Sequence, residues 1–470
     1  MNTSIKNQSL EKILVNHVYN CSFEDFPQEV IDYCKLLLLD SLGVCFPGSK
    51  APGCYEAASL LSSWNAPTKS CASLLVYTGK LNPPQAALIN SMIMHALDFD
   101  DTLDDSALHC FVNVLPSALA SAQQQNSVSG KKLIESLVLG TDVLCRISRA
   151  IPSPLSWIRT ATCGSFGSAA AAGKIISTNR EELHNALGIV YAQTSGNAQG
   201  LIEGRLIKRM QPGFAAHAGV MSAFLARSGI TGSKSFLEGE YGYFNLYERS
   251  EYNAKDVAAV LGEHFQITDL SIKPYPCCRM AHSAIDAALD LRDSIIDQID
   301  AIDSIKVYGS RMVKDMVGSP FSIGENPQVS AQFSIPYTVS TALLYGDVFL
   351  QSFEDEAIRD SVVGRLAQKV EVVEDSLLEP KDIYRVKMQI LLQDGGSYEK
   401  RINVPLGNPR AALSLDQIKE KFQKCVEYSG IEFSRENMEH LFDLIENLED
   451  LSDVSALTDL VSNRKKLRTD

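Results

Sequence analysis

The sequence has no long apolar run and no excess of positive charge, and each absence excludes a class of protein. No uninterrupted stretch of about 18 apolar residues occurs, so we expect no membrane-spanning helix. The first residues, MNTSIKNQSLEKILVNHV, lack the apolar core of a signal peptide and are not rich in arginine. A formal net charge of −14 at pH 7 argues against non-specific binding to nucleic acid or acidic membranes. A cytoplasmic protein is the default expectation, and a mitochondrial location stays open.

Paired cysteine motifs are also missing. The 11 cysteines are scattered, odd in number and without CxxC spacing. This pattern predicts reduced intracellular thiols rather than a disulfide framework or a zinc site. The adjacent pair Cys277–Cys278 is most simply explained by small, buried thiols. With 45% hydrophobic and 21% charged residues, the 470-residue chain is typical of a globular protein with two or three domains.

The hydrophobic pattern divides the chain into three parts. Residues 1–267 have apolar residues mostly at helical spacing, as in EVIDYCKLLLLDSLGVCF. Strand patterns appear in 268–405, in DSIKVYG and in YRVKMQILLQDGGSYEKRINV, where Asp-Gly-Gly predicts a turn between two strands. Helices return in 406–470, where SLDQIKEKFQKCVEYSG opens with a capping-box pattern. The predicted fold is mainly α with α+β, a large helical domain from both chain ends with a smaller α+β domain inserted.

The most conspicuous polar segment is HALDFDDTLDDSALH, residues 95–109, with five aspartates between two of the chain's eight histidines. On a continuous helix, His95, Asp98 and Thr102 would share one face. Three interpretations are open at this point. The cluster could perform acid/base chemistry, bind a metal through carboxylate oxygens, or form a charged helix end that faces water.

DDTLD within this segment also matches the DDxxD pattern of class I terpene synthases, which are all-helical enzymes. Those enzymes use a second magnesium motif with Asn/Asp, Ser/Thr and Glu at four-residue steps. The sequence contains no such triplet, and its strand-rich insert fits poorly. Magnesium dependence with an allylic diphosphate substrate would distinguish this alternative.

Two basic clusters stand out against the acidic background. GRLIKRMQPGFAAHAG places Arg205 and Lys208 just before a Gly/Ala-rich helical pattern. SIKPYPCCRMAHSAIDAAL places Lys273, Arg279 and His282 before and into another. Positive side chains beside helix N-termini suit the binding of carboxylates. For either cluster alone, a solvated surface patch is the alternative.

Together these segments resemble the MmgE/PrpD family, which includes 2-methylcitrate dehydratase, cis-aconitate decarboxylase and iminodisuccinate epimerase. The resemblance rests on HALDFDDT (95–102), LHCFVNVLPSALA (108–120), TATCGSFGSAAAAGK (160–174), KRMQPGFAAHAGVMSAFLARSGITG (208–232) and IKPYPCCRMAHSAIDAAL (272–289). It implies a helical domain and a smaller α+β lid, usually as a homodimer. It also implies an enzyme that uses neither a metal nor an organic cofactor and acts on small di- and tricarboxylates.

The resemblance also implies catalytic residues. Asp98 matches the family's catalytic aspartate, and His109 matches the histidine that follows the next loop. Lys208 and Lys273 match the two lysines that hold substrate carboxylates. Because the unperturbed pKa of a histidine, about 6.5, lies near working pH, His109 is the best general acid or base. Asp98 could then orient and stabilise its imidazole.

Four more residues are candidates for binding the substrate. Thr102 and His282 match residues that line the family's pocket. Arg205 and Arg279 could add positive charge opposite the substrate's carboxylates, as preorganised charge does in a water-poor cleft.

Two positions depart from the family pattern. Ile158 stands where decarboxylases and many dehydratases have a histidine, and Cys278 stands at the place of a further decarboxylase histidine. A lost histidine removes a candidate acid or base, so either the reaction needs only one proton-transfer group or another residue supplies the second. An aconitate decarboxylase-like lyase therefore ranks first, an isomerase or epimerase second and 2-methylcitrate dehydratase third. A catalytically silent carboxylate-binding protein is the alternative from another class.

Overall fold

A computed structural model describes residues 8–64, 70–152 and 157–467. Two compact units divide the chain: residues 1–270 together with 414–470 form the first, and residues 271–413 form the second. The boundaries expected from the sequence lay at 268 and 405. The first unit is helical apart from two short strands, and the second combines helices with a sheet. The prediction of a mainly α fold with a smaller α+β part is confirmed.

The helices and strands are numbered in chain order. The helices are α1 (Leu10–Asn20), α2 (Gln28–Gly48), α3 (Cys54–Trp64), α4 (Pro83–His95), α5 (Phe111–Ala122), α6 (Gly130–Arg149), α7 (Arg159–Ile176), α8 (Arg180–Tyr191), α9 (Gln199–Ile202), α10 (Ile207–Arg227), α11 (Tyr243–Leu246), α12 (Ala254–Ala258), α13 (His282–Ile295), α14 (Arg311–Val317), α15 (Pro327–Gln332), α16 (Ile335–Tyr345), α17 (Asp355–Ile358), α18 (Ser361–Ala367), α19 (Leu415–Ser429), α20 (Arg435–Glu446) and α21 (Ser455–Val461). The strands are β1 (Ala72–Ser73), β2 (Lys80–Leu81), β3 (Ile302–Gly309), β4 (Val370–Glu374), β5 (Val386–Leu392) and β6 (Ser397–Ile402). None of the described helices combines the length and apolarity that a bilayer crossing requires.

Small residues let the central helices of the first unit approach closely. Helix α7 packs against α5, α6, α8 and α10 and is buried along most of its length. A Cβ atom on Gly167 would lie 2.3 Å from Cδ2 of Leu144 on α6. The Ser136 hydroxyl on α6 donates to the Ala171 carbonyl at 2.8 Å. The Ala/Gly-rich sequence of α7 is therefore explained by packing.

Helix α4 ends where the sequence suggested that a helix continues. Asn82 caps its N-terminus by accepting the Gln85 N–H, and the last helical residue is His95. Asp98 has a φ of 57°, which lies in the left-handed region and is incompatible with a right-handed helix. Residues 96–110 form a loop up to the start of α5. The idea that His95, Asp98 and Thr102 share a helical face is therefore wrong.

The sheet of the second unit has the strand order β4-β3-β5-β6. Val307 in the central strand β3 pairs with Val372 on the parallel strand β4 and with Met388 on the antiparallel strand β5. Strands β5 and β6 form the hairpin expected from Asp-Gly-Gly, and Gly395 in the turn has a φ of 91°. The apolar residues of β5 alternate with more exposed ones, and α13 packs against β5, β6 and α16. The strands predicted in both segments are confirmed.

Candidate active site

The loop between α4 and α5 places two aspartates and one histidine, Asp98, Asp100 and His109, near Lys208 in the first turn of α10. His109 lies at the end of this loop, with Nε2 3.9 Å from Oδ1 of Asp98 and Nδ1 2.9 Å from Oδ2 of Asp100. Lys208 from α10 places Nζ 3.1 Å from Oδ1 of Asp98. The two ends of one imidazole therefore face two different carboxylates, and one of these is paired with a lysine.

Backbone contacts fix the position of His109. Its N–H donates to Oγ1 of Thr160 on α7 at 3.2 Å, and its carbonyl accepts from Nδ2 of Asn113 on α5 at 2.9 Å. The side chain of His109 keeps 14% of its surface exposed. An anchored backbone with a partly accessible imidazole is what a proton-transfer group requires.

Asp98 and Lys208 form the ion pair on the accessible side of the imidazole. Their side chains are 10% and 24% exposed. Asp98 lies 3.9 Å from Nε2 of His109, and Oδ2 of Asp100 lies 2.9 Å from Nδ1 without forming a hydrogen bond there. The orienting role expected of Asp98 from the sequence stays a prediction.

Asp100 is shared with a second histidine. Nδ1 of His95 donates to the same Oδ2 atom at 2.8 Å, and the carboxylate is fully buried. Burial and the positive charge of Lys208 lower the pKa of His95 from 6.5 to about 4, so its imidazole is neutral at physiological pH. Burial alone would raise the pKa of Asp100, but His109 and His95 outweigh it and hold that pKa well below its ordinary value.

Two neighbouring interactions hold the loop in place. The carboxylate of Asp101 accepts the N–H groups of Cys110 and Phe111, both at 3.0 Å, and so caps the start of α5. Burial and the charge of Asp100 raise the pKa of Asp101 to about 7. Lys421 from α19 donates to the Phe99 carbonyl at 2.9 Å. The loop is therefore held by hydrogen bonds to the start of α5 and to α19.

Two predicted binding residues of the first unit are placed differently. Thr102 is buried in the same loop, with 3% of its surface exposed. Arg205 precedes α10, and its side chain is 63% exposed and lies 3.7 Å from Glu203. The structure therefore keeps Thr102 within the loop of the site and leaves Arg205 facing solvent.

Lys273, Arg279 and His282 belong to the second unit, where all three are buried. Nη1 of Arg279 donates to Nδ1 of His282 at 3.0 Å and to the Leu406 carbonyl at 2.8 Å. Because an arginine can only donate, Nδ1 of His282 accepts, and the ring proton resides on Nε2, 3.3 Å from the Cys277 carbonyl. His282 is therefore a neutral imidazole in a fixed tautomer.

The two positions that depart from the family pattern have structural environments without a proton-transfer role of their own. Ile158 precedes α7, and its carbonyl accepts the N–H groups of Ala161 and Thr162 at 2.8 and 3.0 Å. Cys278 is half-buried, and its N–H donates to the Gln332 carbonyl at 3.0 Å. Ile158 offers an apolar side chain at the start of α7.

The residues of the cluster could also hold a metal ion. Across the described part of the chain, His95, Asp100 and His109 form the group whose ligand atoms all lie within 4.8 Å of one another. Imidazole nitrogens with a carboxylate are suitable donors for zinc and similar ions. Nδ1 of His95 is bound to Asp100 at 2.8 Å, whereas Nδ1 of His109 lies 2.9 Å from the same carboxylate oxygen without the geometry of a hydrogen bond.

Asp100 and a role for His95 were not predicted from the sequence. Both lie in the segment 95–109, which was expected to be helical. On a helix, Asp100 would lie on a different face from Asp98, because residues two apart do not share a face. A loop interpretation would have left all five aspartates as candidates. The density of Asp in a segment that follows a buried helix was the available signal.

Comparison with known proteins identifies the family. A model of the MmgE/PrpD N-terminal domain matches residues 12–254, and a model of the MmgE/PrpD C-terminal domain matches residues 275–446. The chain belongs to the MmgE/PrpD family. The resemblance seen in the sequence motifs is thereby confirmed.

Similar curated proteins span nearly the whole chain. A cis-aconitate decarboxylase-like protein of Aspergillus oryzae is 28% identical over 474 residues, which cover 96% of both chains. A cis-aconitate decarboxylase of Aspergillus terreus is 26% identical, with 94% of each chain covered. The human cis-aconitate decarboxylase is 28% identical, with 97% of this chain and 95% of the human protein covered.

Proposed function

We propose that this member of the MmgE/PrpD family is a cofactor-independent lyase that decarboxylates a small tricarboxylate of the aconitate type. The observation that carries the proposal is the partly exposed imidazole of His109, which has Asp100 2.9 Å from Nδ1 and the Asp98–Lys208 pair beside Nε2. The names of its relatives, cis-aconitate decarboxylases of fungi and human, support the substrate class. The proposed site lies in an otherwise acidic chain, so its lysines supply the charge that an anionic substrate needs.

The reaction makes two demands on these residues. Loss of carbon dioxide breaks a carbon–carbon bond and leaves an electron pair spread over an allyl system. Lys208 neutralises the negative charge of the substrate, as a preorganised cation does in a cleft that excludes water. His109, protonated at Nε2, then gives its proton to the carbanion and yields itaconate. Solvent returns the proton to the imidazole after the product leaves.

The residues of the second unit have binding roles in this proposal. Lys273 and Arg279 would hold substrate carboxylates, and their burial favours strong charge interactions. His282 is neutral and bound by Arg279, so it would act as a pocket residue rather than as an acid or base. Arg205 is proposed as an outer contact for the substrate, since its side chain faces solvent.

The environment of His95 supports a reaction with one proton-transfer group. Dehydration of 2-methylcitrate would need a base for the proton and an acid for the leaving hydroxide. Burial keeps the pKa of His95 near 4 and its Nδ1 is bound to Asp100, so it is a poor second acid. Ile158 supplies none either. Dehydration therefore ranks below decarboxylation.

Isomerisation or epimerisation is the second candidate. Removal and return of a proton at one carbon, or across an allyl system, also needs only one imidazole, and His109 provides it. A silent family member that binds a carboxylate without turnover is the alternative from another class. Lys208 would still bind an anion in that case.

Proton NMR in deuterated buffer distinguishes these candidates. The full chain, without added metal, is incubated separately with cis-aconitate, trans-aconitate, 2-methylcitrate and iminodisuccinate. We expect the vinyl signals of itaconate from cis-aconitate. Deuterium uptake or cis/trans interconversion without loss of carbon would instead identify an isomerase. Thermal stabilisation by a carboxylate without any turnover would identify a silent binding protein.

A homodimer is the proposed assembly. Four large apolar side chains are exposed near the start of α10: Ile202, Leu206, Ile207 and Phe214. Exposed apolar patches on globular proteins often mark surfaces that contact another protein. Native mass spectrometry should give twice the chain mass, and Leu206→Glu with Phe214→Glu should shift the mass to that of one chain.

A further inference from the structure

We propose that Lys421 is a positioning residue, which holds the loop between α4 and α5 in the conformation that places Asp98 beside Lys208. Lys421 lies on α19, in the C-terminal part of the chain and far from the site in sequence. The part of this inference that concerns turnover rests on the proposed function. The part that concerns the conformation of the loop does not depend on it.

The ammonium group of Lys421 contacts Phe99 of the loop in two ways. Nζ donates a hydrogen bond to the Phe99 carbonyl at 2.9 Å and lies 3.8 Å from the centroid of the Phe99 ring. A cation in this place interacts favourably both with a carbonyl oxygen and with an aromatic ring. Lys421 therefore binds the backbone and the side chain of the same loop residue.

Phe99 directly follows the turn at Asp98. The φ of Asp98, 57°, lies in a region that most residues with a Cβ atom avoid, so α4 cannot continue through it. Oδ1 of Asp98 lies 3.1 Å from Nζ of Lys208 and 3.9 Å from Nε2 of His109. Because one peptide bond joins Phe99 to Asp98, a displacement of Phe99 would be passed to Asp98 and would change both distances.

Asp40 on α2 offsets the charge of Lys421 inside the helical unit. Oδ1 of Asp40 lies 2.6 Å from Nζ of Lys421, and the two side chains are 1% and 7% exposed. A buried ion pair of this kind contributes little net stability, because the loss of hydration offsets the attraction between the charges. The stability of the contact between α2 and α19 therefore does not account for a lysine here, whereas the bond to the Phe99 carbonyl gives it a role.

Close packing of α2 against α19 fixes where the ammonium group lies. Phe422, the next residue of α19, packs against Gly43 on α2, where an added Cβ atom would lie 2.9 Å from Cδ2 of Phe422. Asp40 lies about one turn before Gly43 on the same helix. The two backbones are thus held close together beside the ion pair. A side chain that positions a functional loop needs a rigid anchor of this kind.

Lys35 provides a matched control, because it also ties α2 to the C-terminal part of the chain. Nζ of Lys35 donates to the Glu446 carbonyl at 2.8 Å and lies 2.5 Å from Oε2 of Glu449, and its side chain is 11% exposed. These partners lie at the end of α20 and just after it, outside the loop. Lys35→Met therefore removes a comparable tie without removing a contact with Phe99.

Hydrogen–deuterium exchange of the full chain, read by mass spectrometry, tests the loop without any substrate. In Lys421→Met we expect the peptides that cover residues 96–110 to exchange roughly 10-fold faster or more, because a hydrogen bond from a charged donor is lost. In Lys35→Met we expect these peptides to exchange at the native rate. Unchanged exchange in Lys421→Met, or an equal increase in both variants, would overturn the inference.

A second variant keeps the test decisive if Lys421→Met does not fold. Lys421→Met leaves the buried carboxylate of Asp40 without the opposite charge of the lysine, which is strongly destabilising. The double variant Asp40→Asn with Lys421→Met removes both charges. We expect the same faster exchange in residues 96–110 of the double variant, and exchange at the native rate there would overturn the inference.

Kinetics with cis-aconitate separate positioning from a general loss of structure. In Lys421→Met, or in the double variant, we expect kcat to fall by roughly 10- to 10²-fold, because a small displacement of the reacting groups is enough for such a loss. KM should change far less than kcat, since Lys208 stays on α10. Lys421→Arg keeps a charged donor and should recover most of kcat. An equal loss of kcat in Lys35→Met would overturn the positioning role.

The two measurements separate this inference from the proposed function. If exchange changes as expected but the native protein turns over none of the four carboxylates, the proposed function fails and Lys421 still holds the loop. If the native protein is active and exchange changes, but Lys421→Met keeps the native kcat, the proposed function stands and the positioning role is overturned.

Discussion

A buried ion pair between His17 and Asp142 should make the stability of the helical unit fall steeply in mildly alkaline solution. Nε2 of His17 lies 2.8 Å from Oδ2 of Asp142, and both side chains are almost fully buried. Asp142 also accepts from Nε of Arg146 at 2.8 Å and from the Gln266 N–H. The pair therefore ties α1 to α6 and to the segment that follows α12.

The magnitude follows from the pKa of His17. Burial by itself would lower this pKa, but hydrogen bonds with Asp142 and Cys21 outweigh burial and raise the pKa from 6.5 to about 9. A folded-state pKa above the unfolded value stabilises the fold fully below pH 6.5, and this stabilisation is lost as the pH rises through 9. The rise corresponds to about 3 kcal/mol of unfolding free energy.

Urea denaturation monitored by tryptophan fluorescence measures this contribution. Both tryptophans, Trp64 and Trp157, lie in the helical unit, so their signal follows its unfolding. The difference in unfolding free energy between native protein and His17→Gln should be largest at pH 6.5 and should shrink by about 3 kcal/mol towards pH 10. His440→Gln, an exposed position on α20, is the matched control. A difference that stays constant from pH 6.5 to 10 would refute the reasoning.

Three further predictions concern the site and the packing around it. Lys208→Gln should lower kcat/KM for cis-aconitate by roughly 10²-fold or more, because a preorganised charge is lost; steady-state kinetics measure this, and an unchanged value would contradict the role of Lys208. Dialysis against EDTA should leave turnover unchanged, because the proposed reaction uses only the imidazole of His109 and the charge of Lys208; a loss restored by one divalent ion would contradict this. Gly167→Ala should lower the unfolding free energy by about 1–3 kcal/mol, because its Cβ would lie 2.3 Å from Leu144; Gly364→Ala, where a Cβ meets nothing within 4 Å, is the control.

The helices and strands could be predicted from the sequence because apolar residues recur at helical or strand spacing in both units. The alternation of β5 and the Asp-Gly-Gly turn identified the hairpin, and the helical spacing of the first 267 residues identified the larger unit. The spacing of apolar residues shows which face of a helix or strand is buried, and each of these elements has one buried face. The domain boundaries depend on contacts distant in sequence, which no local pattern reports.

The site was less accessible to sequence reasoning. Asp98, His109 and Lys208 were singled out, and the structure brings them together over 110 positions of sequence. The left-handed backbone of Asp98 could not be predicted, because only a small fraction of aspartates adopt this conformation and no local pattern marks which ones do. Without knowledge of that turn, one could not foresee that Asp100 lies close to Nδ1 of His109. Likewise, charge alone could not show that Arg205 faces solvent.

Carbon dioxide release from cis-aconitate, compared between native protein and His109→Gln, is the decisive measurement for the proposed decarboxylation. We predict carbon dioxide and itaconate in equal amounts from the native protein. We predict a rate lower by roughly 10²-fold or more in His109→Gln, which should retain native helical content and cis-aconitate binding. A native protein that releases no carbon dioxide, or a His109→Gln variant that releases it at the native rate, would contradict this mechanism.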